Sequence, residues 1–333
     1  MSSVPGTGRK PLSRLGLRIP RELPARRVTD LARRAERAGL DEVWIVEDCF
    51  YAGAIAIAAT VLSATEHVTV GIGVLPTVAR NPAIAAMELA ALADLYPGRL
   101  IAGFGHGVPA WMRQIGAYPA SPLAALDETL TAIRRLLAGE EVTTDGRHVH
   151  LDAVRLEFPP AVAPPLFAGV RGPKSLAVGG KAADGTILAE PATPEYVRAT
   201  REIVGERHTI TTYNWFALDD DPARARARVR ADLVAALTPS TGPHLRPLPF
   251  GEELFALIRQ GRADELRDEW IDRLTISGPL DQCAAQRKAL HDAGSESVVL
   301  LPLLAEPLED AISAAGELAR HGGTPPVSGP SPV

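Results

Sequence analysis

Short apolar runs alternate with amphipathic stretches along nearly the whole chain. Residues 15–19, 42–46, 68–75 and 100–104 are apolar but for Arg18, Glu42 and Thr69, the pattern of strands buried on both faces. Between them, residues 24–38, 54–65 and 82–95 carry helical spacing. Their ends have local causes: Pro24 lies in a first turn, Gly39 falls just past a last turn, and Pro97 and Gly98 stop the third helix. Strands and helices in this order predict a parallel sheet, because a parallel crossover needs a connection long enough to hold a helix.

The pattern persists in the second half, with insertions. Helical spacing covers 122–138, and residues 142–151 read as a hairpin turning at Asp145 and Gly146. Strands are predicted over 166–170, 186–189, 209–218 and 297–301, and helices over 173–183, 194–204, 222–237, 280–293 and 308–320. Residues 238–249 are proline-rich and read as irregular. The barrel count is eight strands, each with a main helix, so the predicted fold is α/β: a closed (β/α)8 TIM barrel with insertions. Periodicity alone leaves an open, doubly wound sheet as the alternative. Residues 15–320 are expected to form a single barrel domain, with flexible tails at 1–14 and 321–333.

Composition narrows the partners. A chain of 333 residues suits one barrel with insertions, and 46% hydrophobic with 23% charged residues is an ordinary globular balance. The net charge of -5 supplies no basic footprint for nucleic acid. An acidic cofactor would need local donors. Cys49 and Cys283 are too few for a disulfide framework, which suggests a reducing, cytoplasmic setting. The start has no apolar signal region, and the run at 52–61 is too short to span a bilayer.

Candidate chemistry falls after the strands. The fourth strand ends in Gly103, Phe104, Gly105, His106 and Gly107. Gly105, Gly107 and Ala110 match a relaxed dinucleotide fingerprint, but Pro109 interrupts it and a helix follows where that motif needs a strand. Gly103 and Gly105 read better as positions where a flat ring can approach the strand end. After the fifth barrel strand come Gly169, Val170, Arg171, Gly172, Pro173, Lys174 and Ser175. A helix start with free N–H groups, two bases and a hydroxyl suits a phosphate. Gly71 and Gly73 predict a bulge or a close backbone approach in the third strand. Glu47 and Asp48 follow the second strand, where carboxylates could position substrate or relay a proton, or could cap a helix and pair with a base. Those acids disfavour a Cys49 thiolate. His148 and His150 share one face of the hairpin without further metal ligands placed by spacing, and no metal site is predicted.

These residues bring in a resemblance. The chain is similar to the luciferase-like monooxygenase superfamily, in its deazaflavin-dependent branch. The carriers are AERAGLDEVW over 35–44, GIGV over 71–74, PGRL over 97–100 with Gly103, Phe104 and Gly105, then GPK over 172–174, AADG over 182–185 and SGP over 277–279. The resemblance covers roughly residues 15–304. It implies a homodimeric barrel binding coenzyme F420, or alternatively FMN, across the C-terminal strand ends. It places a non-prolyl cis peptide at Gly73 and Val74. It places the cofactor phosphate at Gly172, Pro173, Lys174 and Ser175, with Gly179 and Gly180 nearby. Many deazaflavin members carry Asp-His after the second strand, where this chain has Asp48 and Cys49. Glu47, Asp48 and His106 are therefore the candidate catalytic residues. The implied activity is hydride transfer between reduced coenzyme F420 and a small organic substrate. The alternatives are an FMN-dependent monooxygenase on the same fold and a non-catalytic flavin-binding barrel.

Overall fold

A computed structural model of the chain describes residues 14–321. The tail expectations lie outside the described residues, except at their inner bounds. Arg14 opens the first strand by pairing with Ser297, and His321 closes the last helix, so each end of the domain extends one residue beyond its expected limit.

Eight parallel strands close into a barrel. In chain order the strands are β1 (Arg14–Arg18), β2 (Glu42–Ile45), β3 (Thr69–Pro76), β4 (Leu100–Gly105), β5 (Val142–Asp145), β6 (His150–Val154), β7 (Leu166–Gly169), β8 (Gly185–Leu188), β9 (Thr209–Leu218), β10 (Ile276–Gly278) and β11 (Ser297–Leu301). Around the barrel the order is β1, β2, β3, β4, β7, β8, β9, β11 and back to β1. The β8–β9 pairing, with Gly185 opposite Thr209, joins the two halves and rules out the open sheet. β5 and β6 form the expected antiparallel hairpin outside the ring, and β10 lengthens the far end of β9.

Main helices cover the strands: α1 (Val28–Arg37), α2 (Ala54–Ala64), α3 (Pro82–Leu95), α4 (Pro109–Gln114), α5 (Pro122–Leu137), α6 (Pro173–Ala182), α7 (Pro194–Val204) and α8 (Pro222–Ala236). After β9 the chain adds α9 (Gly242–Leu245), α10 (Gly251–Arg259) and α11 (Asp268–Leu274) before α12 (Leu280–Asp292) and α13 (Leu308–His321). Pro109, expected only to interrupt, instead opens α4, since a proline in the first turn gives up an N–H that has no partner there anyway. The stretch at 238–249 is not wholly irregular: it holds a 3-10 turn and α9. α10 and α11 bury Leu254, Ile258, Trp270 and Ile271 against the β9 side of the barrel.

Strand alternation separates two cores. Outward residues such as Leu17, Val43, Ile72 and Leu300 pack under the helices. Inward residues include Trp44, Ile101, Phe167, Ile187, Tyr213 and Val299. The interior is narrow, so large rings face glycines. A Cβ on Gly71 would collide with the Trp44 indole, and one on Gly185 would lie 2.6 Å from the Phe167 ring. Gly103 follows the same rule. The space above it is filled by the Ile72 carbonyl and the Ile187 side chain, so its lack of a side chain serves barrel closure rather than the approach of a ring.

Candidate active site

The motifs after β2, β3, β4 and β7 meet at the C-terminal mouth of the barrel, because parallel strands all end on one side. Their centre is the bulge in β3. Register with β4 slips between Ile72 and Leu75, and the Gly73–Val74 peptide is cis, as the family resemblance implied. The extra residue is Val74. Its methyls lie where side chains on Gly105 and Gly169 would stand, so those two glycines form the seat for Val74 between β4 and β7. Tyr213 Oη occupies the corresponding space below Gly73. Burial pushes the Tyr213 phenol far above its usual pKa, so it is a neutral hydroxyl.

On the β4–β7 side lies the start of α6. Four of the neighbouring helices begin under their own side-chain caps: Asn81, Ser121, Thr193 and Asp221. The cap of α6 is Gly172, which has no side chain and stands at φ 78°, outside the range other residues readily adopt. The first intrahelical bond runs from Leu176 N–H to the Gly172 carbonyl, leaving the Lys174 and Ser175 N–H groups ahead of it. His106 Nε2 lies 3.0 Å from Ser175 Oγ, so the loops after β4 and β7 converge here. Burial lowers the His106 pKa, with the Pro122 backbone opposing in part, and its Nδ1 has no partner meeting hydrogen-bond geometry. Arg171 donates to Ser240 at 3.0 Å, tying the post-β9 insertion to this helix start. Lys174 is exposed. Gly179 and Gly180 lie elsewhere. Gly179 makes room for Ala168 on β7 and Gly180 for Val204 on α7, so they serve packing two turns down the helix.

The acids after β2 divide. Both Glu47 oxygens accept from Arg80, at 2.6 and 3.0 Å, and Oε2 also caps α2 through Ala54 N–H at 3.0 Å. Its hydrogen bond with Glu47 raises the Arg80 pKa. Three of its roughly four acceptor sites are taken by Arg80 and Ala54, so Glu47 serves as a helix cap and an ion-pair partner. Asp48 pairs with Arg21 at the rim. Burial first, then Glu47 and Asp48, raises the Cys49 thiol above its usual pKa, so it is no substitute for the absent histidine.

Away from the start of α6, a cavity of about 240 Å³ opens between the ends of β1, β2, β8, β9 and β11. Sequence patterning missed its principal residues, Arg18, Glu190, Trp215 and Asp232. The available signal was charge at the end of an apolar strand: Arg18 closes β1, and Glu190 follows β8 by two residues. Arg18 and Glu190 form an ion pair at 3.6 Å. The hairpin histidines stand apart from this site: His150 pairs with Asp145, and no cluster of metal-ligating side chains occurs among the described residues. No helix among them is long and apolar enough to cross a membrane.

The sequence model of the luciferase-like monooxygenase family matches residues 10–297. The 5,10-methylenetetrahydromethanopterin reductase of Methanolobus tindarius is 26% identical over 314 residues, covering 88% of this chain and 95% of the relative. The F420-dependent glucose-6-phosphate dehydrogenase of Kineococcus radiotolerans is 27% identical over 298 residues, covering 82% and 86%. Among solved structures, the coenzyme F420-dependent tetrahydromethanopterin reductase from Methanopyrus kandleri superposes with a TM-score of 0.76 over 93% of this chain and 99% of its own. Sequence identity there is 20%, a likeness of fold.

Proposed function

The chain belongs to the luciferase-like monooxygenase family, and on that footing we propose that it is an oxidoreductase that binds coenzyme F420 across the barrel mouth and transfers hydride to or from a small organic substrate. One observation carries the placement: an uncapped helix start with a histidine–serine pair lies on one side of Val74, and a cavity lies on the other. The cofactor phosphate would take the Lys174 and Ser175 N–H groups, with Arg171, Lys174, Ser175 and His106 around it. The helix dipole contributes about 0.3–1 kcal/mol to holding an anion there. The ring would rest on the Val74 bulge, with Gly105 and Gly169 beneath, and face the cavity. Arg18 Nε and Trp215 Nε1, both buried and unpartnered, fit a bound group with acceptor atoms. When bound, the deazaflavin supplies hydride chemistry at a ring carbon. The protein's part is to fix the ring, exclude water and manage protons. Both curated relatives described above are reductases or dehydrogenases, which favours F420 over FMN.

The test is titration of the purified protein with each oxidised cofactor, followed by absorbance and calorimetry. F420 should bind more tightly than FMN, and binding should weaken in Ser175→Ala. Tighter binding of FMN would overturn the deazaflavin assignment, and binding of neither would support a cofactor-free barrel.

Two further assignments belong to this reading. The free thiols Cys49 and Cys283 fit a cytoplasmic protein. A homodimer is supported by α3, which leaves Ile84, Met87 and Leu95 exposed on a mostly apolar helix. Light scattering should report a dimer for the native chain and a monomer for Met87→Glu.

A further inference from the structure

The segment that follows α8 crosses the start of α6 and meets it at three points. It runs from a 3-10 turn at Pro239–Thr241 into α9, and Leu245 anchors it in the inner core. At its outer end, Ser240 Oγ accepts from Arg171 at 3.0 Å. In its middle, Pro243 lies against Gly172, where an added Cβ would stand 3.8 Å from the proline Cγ. The third contact passes through a neighbour. His244 stacks on Tyr196, with ring centroids 4.5 Å apart and planes 19° from parallel. The Tyr196 hydroxyl in turn approaches the Gly172 backbone without meeting hydrogen-bond geometry.

His244 and Tyr196 are 0% and 3% exposed, so neither ring is open to a ligand. The two contacts of His244 lead in different directions. Its Nδ1 lies 3.2 Å from the Pro191 carbonyl, so that nitrogen carries the proton and holds the loop after β8. Its ring face leads through Tyr196 to Gly172. That glycine needs outside support. It stands at φ 78° and has no side chain with which to brace itself. Its carbonyl accepts the first bond of α6, from Leu176 N–H at 3.0 Å, so its orientation sets where the Lys174 and Ser175 N–H groups point.

We propose that residues 239–245 form a clasp that holds the start of α6 in its anion-receiving shape, with His244 and Tyr196 as positioning residues that act through Gly172. This rests on the deazaflavin reading above and names residues that set cofactor affinity at that site without touching the cofactor. His244 also grips Pro191, the residue after Glu190, which lines the mouth cavity. One side chain thereby holds the loop after β8 at a fixed distance from the loop after β7. The imidazole face carries the contact toward Gly172, and the Nδ1 proton serves only the Pro191 side.

Two substitutions separate the ring from the hydrogen bond. His244→Phe keeps a ring on Tyr196 and loses the bond to Pro191, whereas His244→Gln keeps a donor for Pro191 and loses the stack. Two measurements follow them: F420 affinity by calorimetry, and hydrogen exchange of the Leu176 amide, which reports the Gly172 carbonyl. His244→Gln should weaken F420 binding and speed Leu176 exchange about two- to tenfold, the span of one aromatic pair, while His244→Phe stays within about twofold of the native protein. The reverse order overturns the proposal. Losses in both variants that simply track their unfolding free energies also overturn it, because they would make His244 a stabilising residue only. Should either variant fail to fold, Ser240→Ala at the exposed end decides the matter: freeing Arg171 should speed Leu176 exchange about two- to fivefold, and an unchanged rate overturns the clasp. Failure of the native protein to bind F420 would sink the cofactor reading instead, and Leu176 exchange in coenzyme-free protein would still judge the clasp.

Discussion

The N-terminal floor of the barrel and its C-terminal mouth use polar side chains in opposite ways. At the floor, carboxylates cap the strand starts. Asp41 accepts from Leu15 N–H at 2.8 Å, Glu36 from the N–H groups of Glu66, His67 and Val68, Asp184 from Leu166 N–H, and Glu296 from Ile210 N–H. Arg99 donates to the Thr65 and Val68 carbonyls. Inside the floor, fully buried Glu42 accepts through Oε2 from Trp44 Nε1 and Ser297 Oγ, each at 2.6 Å, while its Oε1 meets Arg14 at 3.0 Å as an ion pair without hydrogen-bond geometry. At the mouth, α6 has no side-chain cap, and Arg18, Trp215 and Tyr213 keep buried atoms unpartnered. Satisfied groups stabilise a fold, while unsatisfied ones cost stability and persist where a ligand completes them. On the function proposed above, the difference separates the end that holds the barrel together from the end that would receive a ligand.

The strongest test of that division is Glu42→Ala. It should cost about 3 kcal/mol in urea unfolding, because it strands a buried indole N–H and a buried hydroxyl. A cost under about 1 kcal/mol would mean the floor network is not what holds the barrel.

At the mouth, Gly172→Val should weaken F420 binding by about tenfold or more, since its backbone angle suits glycine and sets the donor loop. Lys174→Ala should weaken it only about two- to threefold, as an exposed charge is screened. Equal losses, measured by calorimetry, would move the anion site from backbone to side chains.

His244 sharpens the contrast through pH. It is fully buried, stacks on Tyr196 at 4.5 Å, and its Nδ1 lies 3.2 Å from the Pro191 carbonyl, leaving Nε2 unpartnered. Burial, reinforced by Arg171, drops its pKa from 6.5 to about 3. Between those values the folded chain binds fewer protons than the unfolded chain, so stability falls as pH falls. At pH 5.5 this contribution is on the order of 1 kcal/mol. His244→Gln should remove that part of the acid loss, and an unchanged slope of unfolding free energy against pH would show that His244 is not its source.

Glu47→Gln gives the smallest expected effect. It lies on the mouth side yet is bonded like a floor residue. Its loss should lower stability by about 1 kcal/mol and leave the pH dependence of F420 binding unchanged. A shifted pH profile would restore Glu47 as a proton relay.

Much of the fold was legible because doubly buried strands and their covering helices write themselves as local periodicity. All eight barrel strands fall within a residue or so of their expected limits, β9 with both ends as read. The bulge at Gly73 and Val74 came from family likeness together with paired glycines. α10 and α11 were not read, because their apolar faces cover the β9 side of a barrel that exists only once the chain is folded.

The sequence by itself determined the order of the barrel strands, the glycine before the helix start at Pro173 and the cysteine in place of a histidine after Asp48, since each depends on residues adjacent along the chain. Tertiary structure alone decided which partners those residues meet. Glu47 became a cap because Arg80, 33 residues on, reaches it. Gly103 became a packing site because Ile187 fills its space. The cavity at Arg18, Glu190 and Trp215 draws on three strand ends far apart in the chain, and barrel closure brings them together. Hydrogen bonds and ion pairs act over a few ångströms of space, and spacing along a chain does not encode those distances for residues two hundred positions apart.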